Sequence, residues 1–371
     1  MGKYSRRGSM AAAATIAAGM AFGAAAAYAD PSDPMQDDPD RVSDVWSDDG
    51  NKDVFRVAGT DRVATAIKLM DATEKHWGDT VIIARSDIFP DALAAGPLAD
   101  VLDAPILVSK PGSKLDSRVM DRLEDSDFER VILLGGTGVF TEDVREDLID
   151  EGFEVERQRG VDRYETAVGI AKRVAKELAD RYEADGYTFK KTVNVYLATG
   201  TNFPDAMAAG AAAADNDGVV LLTYGSKMNS STLDFLKKEW KRIPDFANGI
   251  EIHTVGRDAE LAAKSSIDDI ADTNTGKDRY HTAVLLASKF HNDIDTIAVA
   301  SGENHADGVV AGGWVANHDG PLLLTANKSL PTVVKNYLFK YADGDTDIVV
   351  VGGTGSVSRN VSDQIKDLFK L

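Results

Sequence analysis

Four short blocks recur in the same order three times along this 371-residue chain, and that repetition limits the folds open to it more than any single motif does. The first block runs Gly59-Thr60-Asp61-Arg62-Val63-Ala64-Thr65-Ala66. It returns as Gly160-Val161-Asp162-Arg163-Tyr164-Glu165-Thr166-Ala167 and as Gly276-Lys277-Asp278-Arg279-Tyr280-His281-Thr282-Ala283, spacings of 101 and 116 residues. The second block is Phe89-Pro90-Asp91-Ala92-Leu93-Ala94-Ala95-Gly96, then Phe203-Pro204-Asp205-Ala206-Met207-Ala208-Ala209-Gly210, then the looser His305-Ala306-Asp307-Gly308. The third is an apolar run at 105–109, 219–223 and 321–325. The fourth is an apolar run ending in glycine, at 131–136, 250–256 and 348–353. A period near 100 residues is too long for a small solenoid repeat and long enough for a domain with its own core.

Inside one period, helix and strand signals alternate. Ala167, Ile170, Ala171, Val174 and Leu178 keep a helical step, which predicts an amphipathic helix over 166–182. Short apolar strands are expected at 80–84, 193–198 and 296–300. The Phe-Pro-Asp-Ala block opens a second helix with its Asp placed to cap it. Final helices are expected at 142–150, 259–270 and 358–369. Continuous apolar strands separated by helices indicate parallel sheets covered on both faces. The expected fold is therefore α/β, with three tandem Rossmann-like modules. The second unit holds extra residues, placed by its spacing in a polar loop near 182–191.

Residues 1–29 form an address. Lys3, Arg6 and Arg7 precede an apolar Ala- and Gly-rich stretch ending in Ala27-Tyr28-Ala29, which predicts a secretory signal peptide cut after Ala29. An uncleaved membrane anchor fits so Ala-rich a stretch less well. Residues 30–53 carry nine Asp and three Pro and are expected to be a solvated acidic linker. Asp48-Asp49-Gly50-Asn51-Lys52-Asp53 lacks the spacing and distal Glu of a calcium loop. The repeats are bounded at 54–157, 158–273 and 274–371. No segment after the signal reaches the length of a membrane span.

Lys and Arg number 41 against 60 Asp and Glu, a formal charge of −19, which argues against a general nucleic-acid binder. There is no cysteine, hence no disulfide framework. No H-E-x-x-H or G-x-S-x-G motif occurs, and the six histidines do not recur together. No catalytic residue, metal site or cofactor is assigned.

The combination of G-x-D-R-[YV]-x-T-A, F-P-D-A-L-A-A-G, the apolar strand and the glycine-ended strand resembles the cell wall binding repeat 2 family. The resemblance covers 54–371. It implies three Rossmann-like modules in a compact, pseudo-threefold triangular body. It further implies non-covalent attachment to the wall of a Gram-positive bacterium through an anionic secondary wall polymer, with other surface proteins as further partners. No added effector domain is visible. Two departures from the pattern, the third copy's His305-Ala306-Asp307-Gly308 and the second copy's single Gly256, imply that the three sites are not equivalent.

Arg62, Arg163 and Arg279 are the only cations at equivalent positions in all three units. Each stands where a helix begins, so a guanidinium fork and a helix N-terminus both face an anion, with Thr65, Thr166 and Thr282 three residues on. The competing expectation is structural: each Arg pairs with a neighbouring Asp, or with Asp91, Asp205 or Asp307, and pins modules together. Asp61, Asp162 and Asp278 are expected as helix caps, and Asp162 with Glu165 has capping-box spacing. Asp91, Asp205 and Asp307 are caps, or polar groups at a ligand or interface. Gly135, Gly136, Gly256, Gly352 and Gly353 are expected to serve tight turns. Two other functions remain open: a secreted glycan-active enzyme using the recurrent Asp residues, and a capture protein for a small anionic solute in a Rossmann-like crevice. Finally, 153–159 and 271–275 precede units two and three, and no such segment follows unit three. Val54 to Ala58 is therefore expected to dock on unit three and close a ring.

Overall fold

The structure, a computed structural model, describes residues 54–73, 77–187, 192–246, 248–291, 294–341 and 346–369. The expected signal peptide, the acidic linker and the tip of the second repeat's insertion lie outside the described residues.

The chain enters through β1 (Val54–Val57) and α1 (Arg62–Asp71), then alternates β2 (Thr80–Arg85), α2 (Gly96–Val101), β3 (Ile106–Ser109), α3 (Ser117–Glu124), β4 (Arg130–Leu134), α4 (Glu142–Asp150) and β5 (Glu154–Gln158). The second repeat gives α5 (Arg163–Ala184), β6 (Val193–Thr199), α6 (Pro204–Ala214), β7 (Gly218–Thr223), α7 (Ser230–Asp234), β8 (Ile250–Val255), α8 (Arg257–Lys264) and β9 (Asp272–Asn274). The third gives α9 (Arg279–Phe290), β10 (Thr296–Ser301), α10 (His305–Ala316), β11 (Leu322–Thr325), α11 (Thr332–Phe339), β12 (Asp347–Val351) and α12 (Arg359–Lys366).

Three four-stranded sheets result, in orders β3-β2-β4-β5, β7-β6-β8-β9 and β11-β10-β12-β1, with every pairing parallel. The central strands are apolar and buried along almost their whole length, as a sheet covered on both faces requires. The fourth strand of each sheet is the segment that leads into the next repeat. β5 and β9 supply it for the first two sheets. For the third sheet it is β1, paired Val54 to Ile348 through Val57 to Val351. The start of the folded chain thus completes the last sheet. β5 is a polar, half-exposed edge, whereas Phe55, Arg56 and Val57 of β1 are buried. Arg56 donates to the Gly352 carbonyl at 2.6 Å and to Ser362 Oγ at 3.1 Å.

The second helix of each repeat lies at the centre. α2, α6 and α10 pack on one another as well as on their own sheets, and nearly all their residues are buried. Small side chains let them approach: a Cβ on Gly96 would stand 3.2 Å from the Gly210 backbone. One continuous apolar core runs from Val57 through all three repeats to Val351. Arg181 of α5 donates to the last carbonyls of α2, Asp100 and Val101, at 3.1 and 2.6 Å, a cation at a helix C-terminus across a repeat boundary.

The second helices do not begin as their motif suggests. α6 and α10 start at the block, but their N-cap residues are Phe203 and Asn304, not Asp205 and Asp307. In the first repeat 90–94 is a turn and α2 starts only at Gly96. Pro97 explains the delay, because a proline is tolerated in a helix's first turn and breaks its interior. The second repeat's extra residues are largely helical: α5 has 22 residues where α1 has 10 and α9 has 12.

Candidate functional site

Asp61, Asp162 and Asp278 cap α1, α5 and α9. Their carboxylates accept from the backbone N–H of Ala64 at 2.9 Å, of Tyr164 and Glu165 at 2.9 and 3.0 Å, and of His281 at 2.9 Å. Glu165 accepts from Val161 N at 2.9 Å, one residue ahead of the cap. Thr65, Thr166 and Thr282 are buried and face inward. Each hydroxyl donates to its cap residue's carbonyl, at 3.0, 3.0 and 3.2 Å. Each also accepts from Gly59, Gly160 or Gly276 N, at 2.9, 3.0 and 3.1 Å. The threonines therefore hold the turn that presents the arginine.

The arginines point the other way. Arg62, Arg163 and Arg279 each send Nη1 to a carbonyl just past the first central strand of the same repeat: Ser86, Gly200 (2.5 Å) and Gly302. Beyond that bond each reaches the preceding repeat. The Arg163 guanidinium lies 5.9 Å from the Phe89 ring centre, and Arg279 lies 6.0 Å from that of Phe203. Arg62 acts on His305, whose imidazole is pushed down by burial and by the Arg62 charge. The order is cyclic, each repeat's arginine set against the aromatic position of the one before, with Arg62 returning to repeat three.

Those three rings meet. Phe89 and Phe203 stand 5.6 Å apart, Phe89 and His305 5.5 Å, and Phe203 and His305 6.0 Å. All three are half-buried, as are the three arginines around them. Among the described residues, none of the three guanidiniums forms an ion pair. A protein of net charge −19 therefore gathers three guanidiniums with unused donors around one aromatic triad.

Asp91, Asp205 and Asp307 line the same junctions. Burial pushes all three carboxyls up, Asp205 to about 6, against the charges of Arg163, Arg279 and Arg62 respectively. Each lies over the glycine that ends the neighbouring strand. A Cβ on Gly135, Gly256 or Gly352 would come 2.8, 2.0 or 2.5 Å from the Asp91, Asp205 or Asp307 carboxyl, and all three glycines have positive φ. The second glycines meet nothing: a Cβ on Gly136 or Gly353 has open space. That is why Arg257 is tolerated after Gly256.

The Asp205 shift has a sign that solution measurements can check. Protonation is favoured in the folded chain, so this group's contribution to stability is complete below its unfolded value near 4 and is lost as pH climbs through about 6. Asp205→Asn removes that loss. The variant is expected to gain ~2 kcal/mol over the parent between pH 4 and pH 8, allowing for the share of the group that water reaches. Thermal unfolding of both at the two pH values checks it; a difference independent of pH contradicts a buried carboxyl.

Among the described residues no group of His, Asp or Glu side chains is placed to hold a metal ion, and no helix is long and apolar enough to cross a membrane.

Comparison with known proteins adds the following. The family described as Cell wall binding domain 2 (CWB2) matches three times, over residues 56–145, 157–262 and 274–362. The chain is 25% identical over 317 residues to the N-acetylmuramoyl-L-alanine amidase LytC of Bacillus subtilis, covering 85% of this chain and 58% of that one. It is 26% identical over 326 residues to the amidase enhancer of the same organism, covering 85% of this chain and 41% of the relative. It thus spans only about half the length of these curated relatives. Among solved structures, Cwp6 from Clostridium difficile superposes with a TM-score of 0.71 at 20% identity, covering 86% of this chain and 48% of that chain. Cwp8 from the same organism gives 0.67 at 23%, covering 86% and 52%. These two establish likeness of fold.

Proposed function

Since the chain belongs to the cell wall binding domain 2 family, we propose that it is an exported protein that holds non-covalently to a Gram-positive cell wall through an anionic secondary wall polymer. The arginine-bearing junctions are its contact points, and it has no catalysis of its own. The observation that carries this reading is the gathering of Arg62, Arg163 and Arg279, free of ion pairs among the described residues, around Phe89, Phe203 and His305. A guanidinium fork suits phosphate or carboxylate, and half-buried rings beside it exclude water and so strengthen the attraction. The cyclic relation between repeats is what a pseudo-threefold body would produce. Three guanidiniums around one triad can engage more than one anionic group of the same polymer, and each further contact forms at high effective concentration once the first has formed.

Burial raises the carboxyls of Asp91, Asp205 and Asp307, each of which faces one of these arginines, so the charge at the junctions depends on pH. Each is set over the glycine that ends a neighbouring strand. Sedimentation with purified walls tests the reading. Retention is expected to fall steeply with rising salt, as for polyanions held by fixed cations. Retention indifferent to salt contradicts an arginine-based contact.

A further inference from the structure

In each repeat the strand order reverses at the central pair, and the carboxyl ends of those strands are where open sheets of this kind place a crevice. The three crevices differ. In the first, Arg85 and Asp87 pair at 2.6 Å just past β2, and the loops beyond β3 and β4 are stitched together by Gly112 N to Val139 O at 2.9 Å and Thr141 N to Gly112 O at 3.1 Å. In the second, the Tyr224 ring stands edge-on to Tyr164 at 6.4 Å, and Ser226 bonds to Asp258 at 2.5 Å. In the third, the residue at the Tyr224 position is Ala326, so among the described residues no ring stands over Tyr280, the counterpart of Tyr164. An open cavity of about 390 Å³ remains there.

Its lining is chemically mixed. Ser301, Asn304, Asn327 and Ser356 offer hydroxyls and carboxamides, with one carboxylate, Glu303, and one ammonium, Lys328, in balance. Ser301 Oγ accepts from the Glu303 and Asn304 N–H groups, both at 3.1 Å, which leaves its proton to donate. The Glu303 carboxylate lies close enough to Tyr280 to help burial push its phenol up. Ala326 and Gly355 let a ligand approach the backbone closely. A free phosphate meets the Glu303 carboxylate here, whereas a ring carrying several hydroxyls finds donors and acceptors in turn. The size is that of a small-molecule site.

We propose that the third repeat's crevice is a sugar subsite that takes one neutral or N-acetylated pyranose residue. Its biological meaning rests on the wall-polymer reading: the arginines take the charge of the polymer and this crevice takes one of its sugars. Its chemistry does not depend on that reading.

The test is an amide-resolved NMR titration of the isotope-labelled protein with glucose, N-acetylglucosamine and N-acetylmannosamine, and separately with inorganic phosphate, each to 50 mM. At least one sugar is expected to shift the resonances of Ser301, Asn327 and Gly355 saturably, with phosphate leaving them unmoved. Ala326→Tyr, which copies the second repeat, is expected to weaken that sugar's binding at least tenfold with thermal unfolding unchanged. Shifts at these residues with phosphate alone, or with no sugar, overturn the proposal, as does a sugar response untouched by A326Y. Because no wall is present, a failure here leaves the arginine-based reading standing, and a failure to bind walls leaves this result intact.

Discussion

A chain lacking Val54–Val57 is expected to unfold at least about 5 °C below the full protein. The magnitude follows from what β1 buries. Phe55 and Val57 are 8% and 2% exposed, and a buried side chain of this kind contributes ~1.5–3 kcal/mol. The Arg56 bonds to Gly352 and Ser362 are lost as well, at the turn that carries Asp307 over Gly352. Deletion also bares β12 as an apolar sheet edge, which favours aggregation on heating. Because the core is continuous through the three repeats, the effect reaches the whole body and not the third sheet alone. Calorimetry of parent and truncated chains measures it. An unchanged transition contradicts the pairing of first strand with last sheet.

The second large effect concerns the arginines. Each charge-assisted contact to an anion is worth ~1.5–3 kcal/mol, and ~1.4 kcal/mol is tenfold in affinity. A single Arg163→Gln change should weaken wall binding roughly 10- to 100-fold, and the triple change at Arg62, Arg163 and Arg279 at least about a thousandfold. These side chains also hold the carbonyls of Ser86, Gly200 and Gly302, so some folding stability goes with them. Arg→Lys variants separate the two effects. Lysine keeps the charge and loses the planar fork, so intermediate binding is expected with a small change in unfolding. Wild-type affinity in all three Lys variants and in the folded Gln variants contradicts guanidinium recognition.

Much of the fold is legible from residues alone. Asp61, Asp162 and Asp278 announce their helices because a cap acts within one turn, and the buried strands announce themselves by unbroken apolar runs. The pairing of Val54–Val57 with the last sheet was expected from the like segments that precede the second and third repeats. What the sequence conceals is long-range. The Asp of the second block reads as a cap by position, yet it lies over a glycine that ends a different strand, Asp205 over Gly256 for instance. No local pattern encodes that contact, although the contrast between an unvarying first glycine and a replaceable second one was visible as Gly256-Arg257. The delayed start of α2 had a signal in Pro97. The turn bonds of the threonines were not legible either, because a small polar residue near a helix start serves the turn and a ligand equally well in sequence. The joining of Phe89, Phe203 and His305 requires three repeats to be brought together, and the change from Phe to His in the third hid their equivalence.

The central claim is that anionic wall polymer, and not the peptidoglycan beneath it, is what this protein holds. Co-sedimentation with purified Gram-positive walls, intact beside walls stripped of their anionic polymers, tests it most directly. Retention on intact walls and its loss on stripped ones is the expected result; equal retention on both, or none on either, contradicts it.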